Sequence, residues 1–306
     1  MYAMNLERSR IPRRARVVEV GPRDGLQNEA APVATDAKVR YLEMLADAGL
    51  TTIEAGSFVR PDRVPQLADS AEVFARLAPR AGVRHVALVP NLKGLERALA
   101  CGVRSVAVFT AASDGFNRAN INMTVAESLE IQRPVVERAK REGLWVRGYV
   151  STGFGCPYDG EVKPEKVRDV VMALAYMGAD EVSLGDTIGV ATPLQVERVV
   201  GVVLDRFPVE RLALHFHDTR GTALANVLAG LMMGVAVFDS SSGGLGGCPF
   251  APGASGNLAT EDLLYLLAGM GVETGVSLAQ VAEASRFIGG VLGRELPSRY
   301  LRATTA

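Results

Sequence analysis

The stretch PEKVRDVVMALAYMGADEVSLGD, residues 164–186, holds one complete repeat of a regular fold. Apolar side chains recur at three- and four-residue spacing over 164–177, through Val167, Val170, Val171 and Leu174, which predicts a helix with one buried face. Gly178 stands in the Met-Gly-Ala ending, where a helix must turn left-handed, and DEVSL from Asp180 then reads as a short strand. The same alternation extends outward in both directions. Strand candidates are RVVEV from Arg16, TTIEAG from Thr51, RHVALV from Arg84, SVAVF from Ser105, LWVRGYV from Leu144, DEVSL from Asp180, RLALHFH from Arg211 and VAVFDS from Val235. Helical patterns follow them at 35–48, 64–77, 91–100, 124–142, 164–177, 192–206, 221–233 and 260–269. Thr124 before Glu127, Thr192 with Pro193, and Thr260 before Glu261 and Asp262 mark three of the helix starts.

Eight β/α units in about 250 residues, with right-handed crossovers, predict a (β/α)8 TIM barrel whose chemistry gathers at the carboxyl ends of the strands. A doubly wound open sheet is the competing architecture. It calls for a nucleotide-type glycine turn after the first strand, and that turn here reads GPRDGLQ from Gly21. A further helix over 277–292 reads as an extension. No linker rich in Pro, Gly or Ser divides the chain, so residues 1–306 are expected to form a single domain, with the barrel over about 16–270 and a C-terminal extension over 271–306.

Composition narrows the function. The 306 residues carry 33 Lys+Arg against 34 Asp+Glu, a net charge of −1 that excludes an electrostatic nucleic-acid binder. At 48% hydrophobic residues the chain suits a globular core, and no apolar run reaches the length of a membrane helix. Cys101, Cys156 and Cys248 form no CxxC pair, which argues against a disulfide framework or a cysteine zinc site and for a reducing compartment. The arginine-rich first sixteen residues lack the apolar core of a secretory signal and read as a basic cap; the expected location is the cytoplasm.

A barrel would bring distant polar residues together. Arg23 and Asp24 follow the first strand, Glu54 lies within the second, Asp186 just after the sixth, and His215 and His217 near the end of the seventh. A period of two puts both histidines on one face of their strand. They read either as a satisfied structural pair or as a chelate; three polar features at one barrel end favour the chelate. Asp24 and the amide oxygen of Asn257, in the loop after strand eight, would complete a mixed nitrogen and oxygen shell suited to Mg, Mn or Fe(II). Arg23 reads as a surface ion pair or as a fixed cation that neutralises an oxyanion. Glu54 and Asp186 read equally as buried partners of Arg23 or as direct participants. His85 starts strand three at the opposite end and reads as structural. Gly243, Gly244, Gly246 and Gly247 precede Cys248 in a loop able to close over a ligand, which makes Cys248 a candidate acid or base.

GPRDGLQNE from Gly21, SLGDTIG from Ser183, HFHDTRGTALAN from His215 and GGLGGCPFAPGASGNLATEDL from Gly243 together resemble the 3-hydroxy-3-methylglutaryl-CoA lyase family over about residues 16–292. The resemblance implies that Asp24, His215, His217 and Asn257 bind Mg or Mn, that Arg23 stabilises the substrate carbonyl and enolate, and that Cys248 is the acid/base. It further implies that Glu54 and Asp186 hold the Arg23 network and the metal-bound groups, that Asn120, Arg147 and Tyr149 contact the acyl-CoA, and that the chain forms a homodimer. The implied reaction is retro-Claisen cleavage to acetyl-CoA and acetoacetate. Three positions depart from the family pattern: Ala30 replaces a Lys, Arg220 replaces a Tyr, and PDRVPQL from Pro61 replaces PKWVPQM. They leave a lyase for another branched 3-hydroxyacyl-CoA, such as citramalyl-CoA, as the alternative. A condensing synthase usually adds a regulatory domain, a barrel hydrolase needs further histidines, and a non-catalytic acyl-CoA-binding protein leaves Arg23, Asp24 and Cys248 unexplained.

Overall fold

The computed structural model describes residues 11–30, 32–246 and 256–304. Eight strands, β1 (Arg16–Glu19), β2 (Thr52–Ser57), β3 (Arg84–Leu88), β4 (Ser105–Ala111), β5 (Trp145–Ser151), β6 (Glu181–Asp186), β7 (Leu212–Phe216) and β8 (Val237–Ser240), pair in parallel in chain order, and β8 closes onto β1. The outer helices are α1 (Thr35–Asp47), α2 (Ser70–Arg76), α3 (Leu92–Ala100), α4 (Asp114–Ile121), α5 (Val125–Arg141), α6 (Pro164–Met177), α7 (Pro193–Leu204), α8 (Ala223–Met232) and α9 (Thr260–Gly269), followed by α10 (Leu278–Leu292) and α11 (Arg299–Ala303). This is the expected TIM barrel, and the open sheet is excluded. None of the described helices is long and apolar enough to cross a membrane.

Three local expectations differ from the structure. The helix expected over 64–77 breaks into a short turn at Pro65–Leu67 and α2, because the Lys38 ammonium takes the Gln66 carbonyl (2.5 Å) and Asp69 (2.5 Å). Thr260 does not cap α9: its hydroxyl donates to Glu19 Oε2 (2.7 Å), and Ala259 occupies the cap. α4 carries no apolar periodicity. Tertiary bonds hold it instead, with the Asn117 amide donating to Thr110 (3.1 Å) and Ser128 (3.2 Å). The Thr124–Glu127 capping box is present, and a second joins Thr192 to Gln195.

The barrel interior is not a uniformly apolar fill. Val18, Val20, Ala213 and Val237 cluster on one side and Val86, Leu88, Ala107 and Tyr149 on the other. Between them runs a column of alternating charge. Arg16 pairs with Glu181, Glu181 with Arg147 (3.0 Å), Arg147 with Asp239 (2.6 Å) and Asp239 with His215 (3.2 Å). Ser183 also donates to Asp239 (2.9 Å) and Arg147 to the Tyr149 hydroxyl (2.7 Å). Each buried charge therefore has an opposite neighbour, the condition under which ions tolerate an interior.

At the carboxyl end a second buried network ties the last loop to the C-terminal extension. Gly243 takes a left-handed φ of 68°, donates its N–H to Glu261 (2.9 Å) and accepts from the Ser298 N–H (3.0 Å). Asp262 accepts from Ser298 Oγ (3.0 Å) and from the Tyr300 N–H (2.8 Å). Glu19 accepts from the N–H groups of Gly21 and Ser242, both at 2.8 Å.

Removing the guanidinium of Arg147 leaves Asp239 and Glu181 buried without it. Arg147→Ala is expected to lower unfolding free energy by about 3–5 kcal/mol in urea denaturation. Burial pushes the carboxyl of Glu19 up to about 8 and that of Glu261 up to about 7, from an ordinary value of 4.5. The folded state then holds these protons longer than the unfolded chain, so the stability they contribute is full below 4.5 and is lost as pH rises through 7 and 8. Between about pH 6.5 and 8 the melting temperature should fall, and Glu19→Gln should flatten that slope in calorimetric scans.

Candidate active site

The site forms where β1, β2, β7 and β8 end. After β1 the chain makes a tight turn over Gly21–Gly25, with the N–H groups of Arg23, Asp24 and Gly25 all directed at the Val20 carbonyl (3.2, 2.7 and 3.2 Å). That turn aims Arg23 and Asp24 across the barrel mouth. Glu54 on β2 is fully buried and receives Arg23 Nε (2.7 Å) and Nη2 (2.5 Å); Arg23 Nη1 reaches Asp24 Oδ1 (2.6 Å). Arg23 is thus a buried cation fixed by two carboxylates, which settles its reading against a surface ion pair.

His215 and His217 lie on one face of the β7 edge, with ring centroids 5.2 Å apart. Ligand atoms of Asp24, His215 and His217 all lie within 4.8 Å of one another. Asn257 joins them from the loop after β8. Its Nδ2 donates to Asp24 Oδ2 (2.9 Å), and its Oδ1 is buried without a partner. His217 Nδ1 is likewise buried without a partner among the described residues. Since an orphaned buried acceptor costs about 1–3 kcal/mol, two beside a carboxylate and a second imidazole fit a cation. The donor set is nitrogen and oxygen only, a match for a hard or borderline divalent ion.

Electrostatics agree with that geometry. Burial opposes ionisation of Asp24, but Arg23 and then the histidines hold its carboxyl at about 2. Burial and the neighbouring His215 push His217 down to about 4, leaving a neutral imidazole. Burial works against charge on His215 too, yet its bond to Asp239 raises its proton affinity above the ordinary value. Asp239 receives Nδ1 and leaves Nε2 facing the mouth, the arrangement that fixes the orientation of a ligating histidine.

The remaining candidates separate. Tyr149 stands inside the mouth, its ring 5.8 Å from the Arg23 guanidinium carbon and edge-on to His215. Asn120 is exposed on α4, just beyond the end of β4. Arg147 is corrected: only 1% exposed, with its guanidinium committed to Asp239, Glu181 and Tyr149, it lies beneath the site and not against a coenzyme. Asp186 does not pair with Arg23. Its oxygens accept the N–H groups of Val190 (2.9 Å) and Ala191 (3.1 Å), shaping the loop after β6, and burial pushes its carboxyl up to about 6. Cys248 lies outside the described residues. The departing Arg220 donates to the Ile188 carbonyl (2.6 Å) of the same β6 loop, and Ala30 is described only as the end of the β1 loop. Asp239 was missed, although VAVFDS offered the signal used for Glu54, a carboxylate inside an apolar strand.

Residues 14–288 match the family model described as HMGL-like. The chain belongs to this family. It is 53% identical over 296 residues to the 3-hydroxy-3-isohexenylglutaryl-CoA/hydroxy-methylglutaryl-CoA lyase of Pseudomonas aeruginosa, covering 97% of this chain and 99% of that one. To the mitochondrial hydroxymethylglutaryl-CoA lyase of Bos taurus it is 51% identical over 293 residues, 96% of this chain and 90% of that one. The crystal structure of hydroxymethylglutaryl-CoA lyase from P. aeruginosa superposes with a TM-score of 0.95 at 53% identity, covering 96% and 98% of the two chains. Carboxyl transferase domains from Rhizobium etli pyruvate carboxylase share the fold alone, at 18% identity and TM-scores such as 0.69.

Asp239→Asn keeps the shape but removes the charge behind His215. Isothermal titration with Mn2+ is expected to show about 10–100-fold weaker binding in this variant.

Proposed function

We propose that this HMGL-like chain is a lyase that cleaves 3-hydroxy-3-methylglutaryl-CoA into acetyl-CoA and acetoacetate. The observation that carries the reading is the convergence of Asp24, His215 and His217 within 4.8 Å, beside the buried Arg23. Asp24, His215, His217 and Asn257 would hold Mg2+ or Mn2+. Such a cation lowers the pKa of a tertiary alcohol and polarises the neighbouring oxygens. A nearby base, His215 or Asp24, takes the alcohol proton; the C2–C3 bond then breaks, its electron pair passing into the thioester carbonyl as an enolate. Arg23, pinned by Glu54, presents a preset guanidinium to that developing oxyanion, so no reorganisation is needed at the moment of charge transfer. Cys248 protonates the enolate carbon to give acetyl-CoA. The Tyr149 ring stands beside Arg23, and Asp186 shapes the flanking loop.

Asn120, exposed beside the mouth, suits contact with the coenzyme. The two lyases compared above both carry hydroxymethylglutaryl names, which favours that acyl group over a citramalyl one. The P. aeruginosa relative adds an isohexenyl-branched substrate to its name, so branch length is the open dimension of specificity. Family likeness extends the proposal to a homodimer, and the unpaired cysteines of a reducing compartment extend it to the cytoplasm.

Purified protein with Mg2+ should release acetyl-CoA from hydroxymethylglutaryl-CoA, lose activity to a chelator and recover it with Mg2+ or Mn2+. Cys248→Ala should lower kcat by about 100-fold or more while leaving Mn2+ titration unchanged, whereas Asp24→Ala should lose both. Full-speed turnover by the cysteine variant rejects the acid role, and silence with hydroxymethylglutaryl, isohexenylglutaryl and citramalyl thioesters rejects the lyase.

A further inference from the structure

The end of the barrel opposite the catalytic mouth holds a cavity of about 500 Å³ between the starts of β1–β4 and the loop that follows α2. Its charged lining is cationic: Arg16, Arg80, Arg84 and Arg104 line it, and among the described residues no acidic side chain does. Two of these charges are answered elsewhere, Arg16 by Glu181 and Arg80 by Asp47 (2.6 Å). Arg84 and Arg104 have no carboxylate within ion-pair distance among the described residues. The acids nearest Arg84 are Glu181, already held by Arg16 and Arg147, and Asp180, already held by Lys140 (2.7 Å). Arg84 is further fixed over the Trp145 ring, 4.2 Å from its centroid, so its free donors are preset rather than mobile. Phe74 and Leu77 give the cavity an apolar wall.

We propose that this cavity is a second ligand site, which takes a nucleoside polyphosphate, its phosphates on Arg84 and Arg104 and its base against Phe74 and Leu77. The volume falls within the range of small-molecule sites, roughly 300–1,000 Å³. Paired guanidinium groups recognise phosphate oxygens in fixed, bidentate fashion. Burial and the charge of Arg16 both disfavour the cationic form of Arg84, a penalty that a bound anion relieves. The site is independent of the proposed lyase reaction, whose groups cluster at the other end of the strands.

The chain has a single tryptophan, and it is Trp145, under Arg84. Fluorescence excited at the red edge of its band therefore reports on this cavity and not on the catalytic mouth. ADP, titrated into the full-length protein saturated with coenzyme A, is expected to give a saturable change, with pyrophosphate giving a weaker one at matched ionic strength. Arg104→Ala, on an exposed side chain, should weaken ADP about tenfold while leaving acetyl-CoA release unchanged, and Arg84→Gln should abolish the response. Calorimetry of the same titration should give one ADP per chain. No saturable signal by either method overturns the proposal, as does ADP binding that Arg104→Ala leaves untouched or that coenzyme A displaces.

Discussion

Asp239 sits at the junction on which the rest of the barrel depends. One oxygen takes Arg147 and the other His215, so the same carboxylate neutralises the charge filling the barrel and orients the imidazole at its mouth. Below it, Arg147, Glu181 and Arg16 continue the alternation of sign to the floor. A barrel normally fills this volume with branched apolar side chains in layers. Here ions occupy the centre, and their cost is offset only because each meets an opposite charge or a hydrogen-bond donor.

The alternation stops at the mouth. Arg23 is shared by Glu54 and Asp24, while His217 Nδ1 and Asn257 Oδ1 are buried with nothing among the described residues to accept from. A protein interior rarely leaves such atoms unanswered, and the shortfall is one of positive charge at one place. In the proposed reaction, cation binding and oxyanion stabilisation would draw on a single sheet of charges, with Asp24 touching both groups: one oxygen on Arg23, the other on Asn257.

Much of this was legible in the chain. The alternation of strand and helix patterns located all eight strands within two residues, because parallel strands buried on both faces read as continuous apolar runs. Period-two spacing put His215 and His217 on one face, and the structure brings Asp24 and Asn257 to them. Other features were hidden for identifiable reasons. Arg147 and Tyr149 share a face, but depth along the barrel, which separates a coenzyme contact from a buried ion, is set by strand stagger and has no local signal. Asp186 read equally as a partner for Arg23 or as a direct participant, since a carboxylate at a strand end says nothing about whether a side chain or a backbone N–H will claim it. α4 escaped notice because its order comes from Asn117 reaching Thr110 and Ser128, not from periodicity.

The strap formed by the last described residues has a consequence for genetics. Ser298 holds Gly243, and Asp262 holds Ser298 and Tyr300, so the stem of the cysteine-bearing segment is fastened by chain that lies outside the barrel. A nonsense codon near position 294 would spare every strand and α1 to α10. Its product would lose the Leu296 and Leu301 side chains from the core and leave the buried Asp262 without Ser298, so the damage would fall on the stem and on the packing beneath it together.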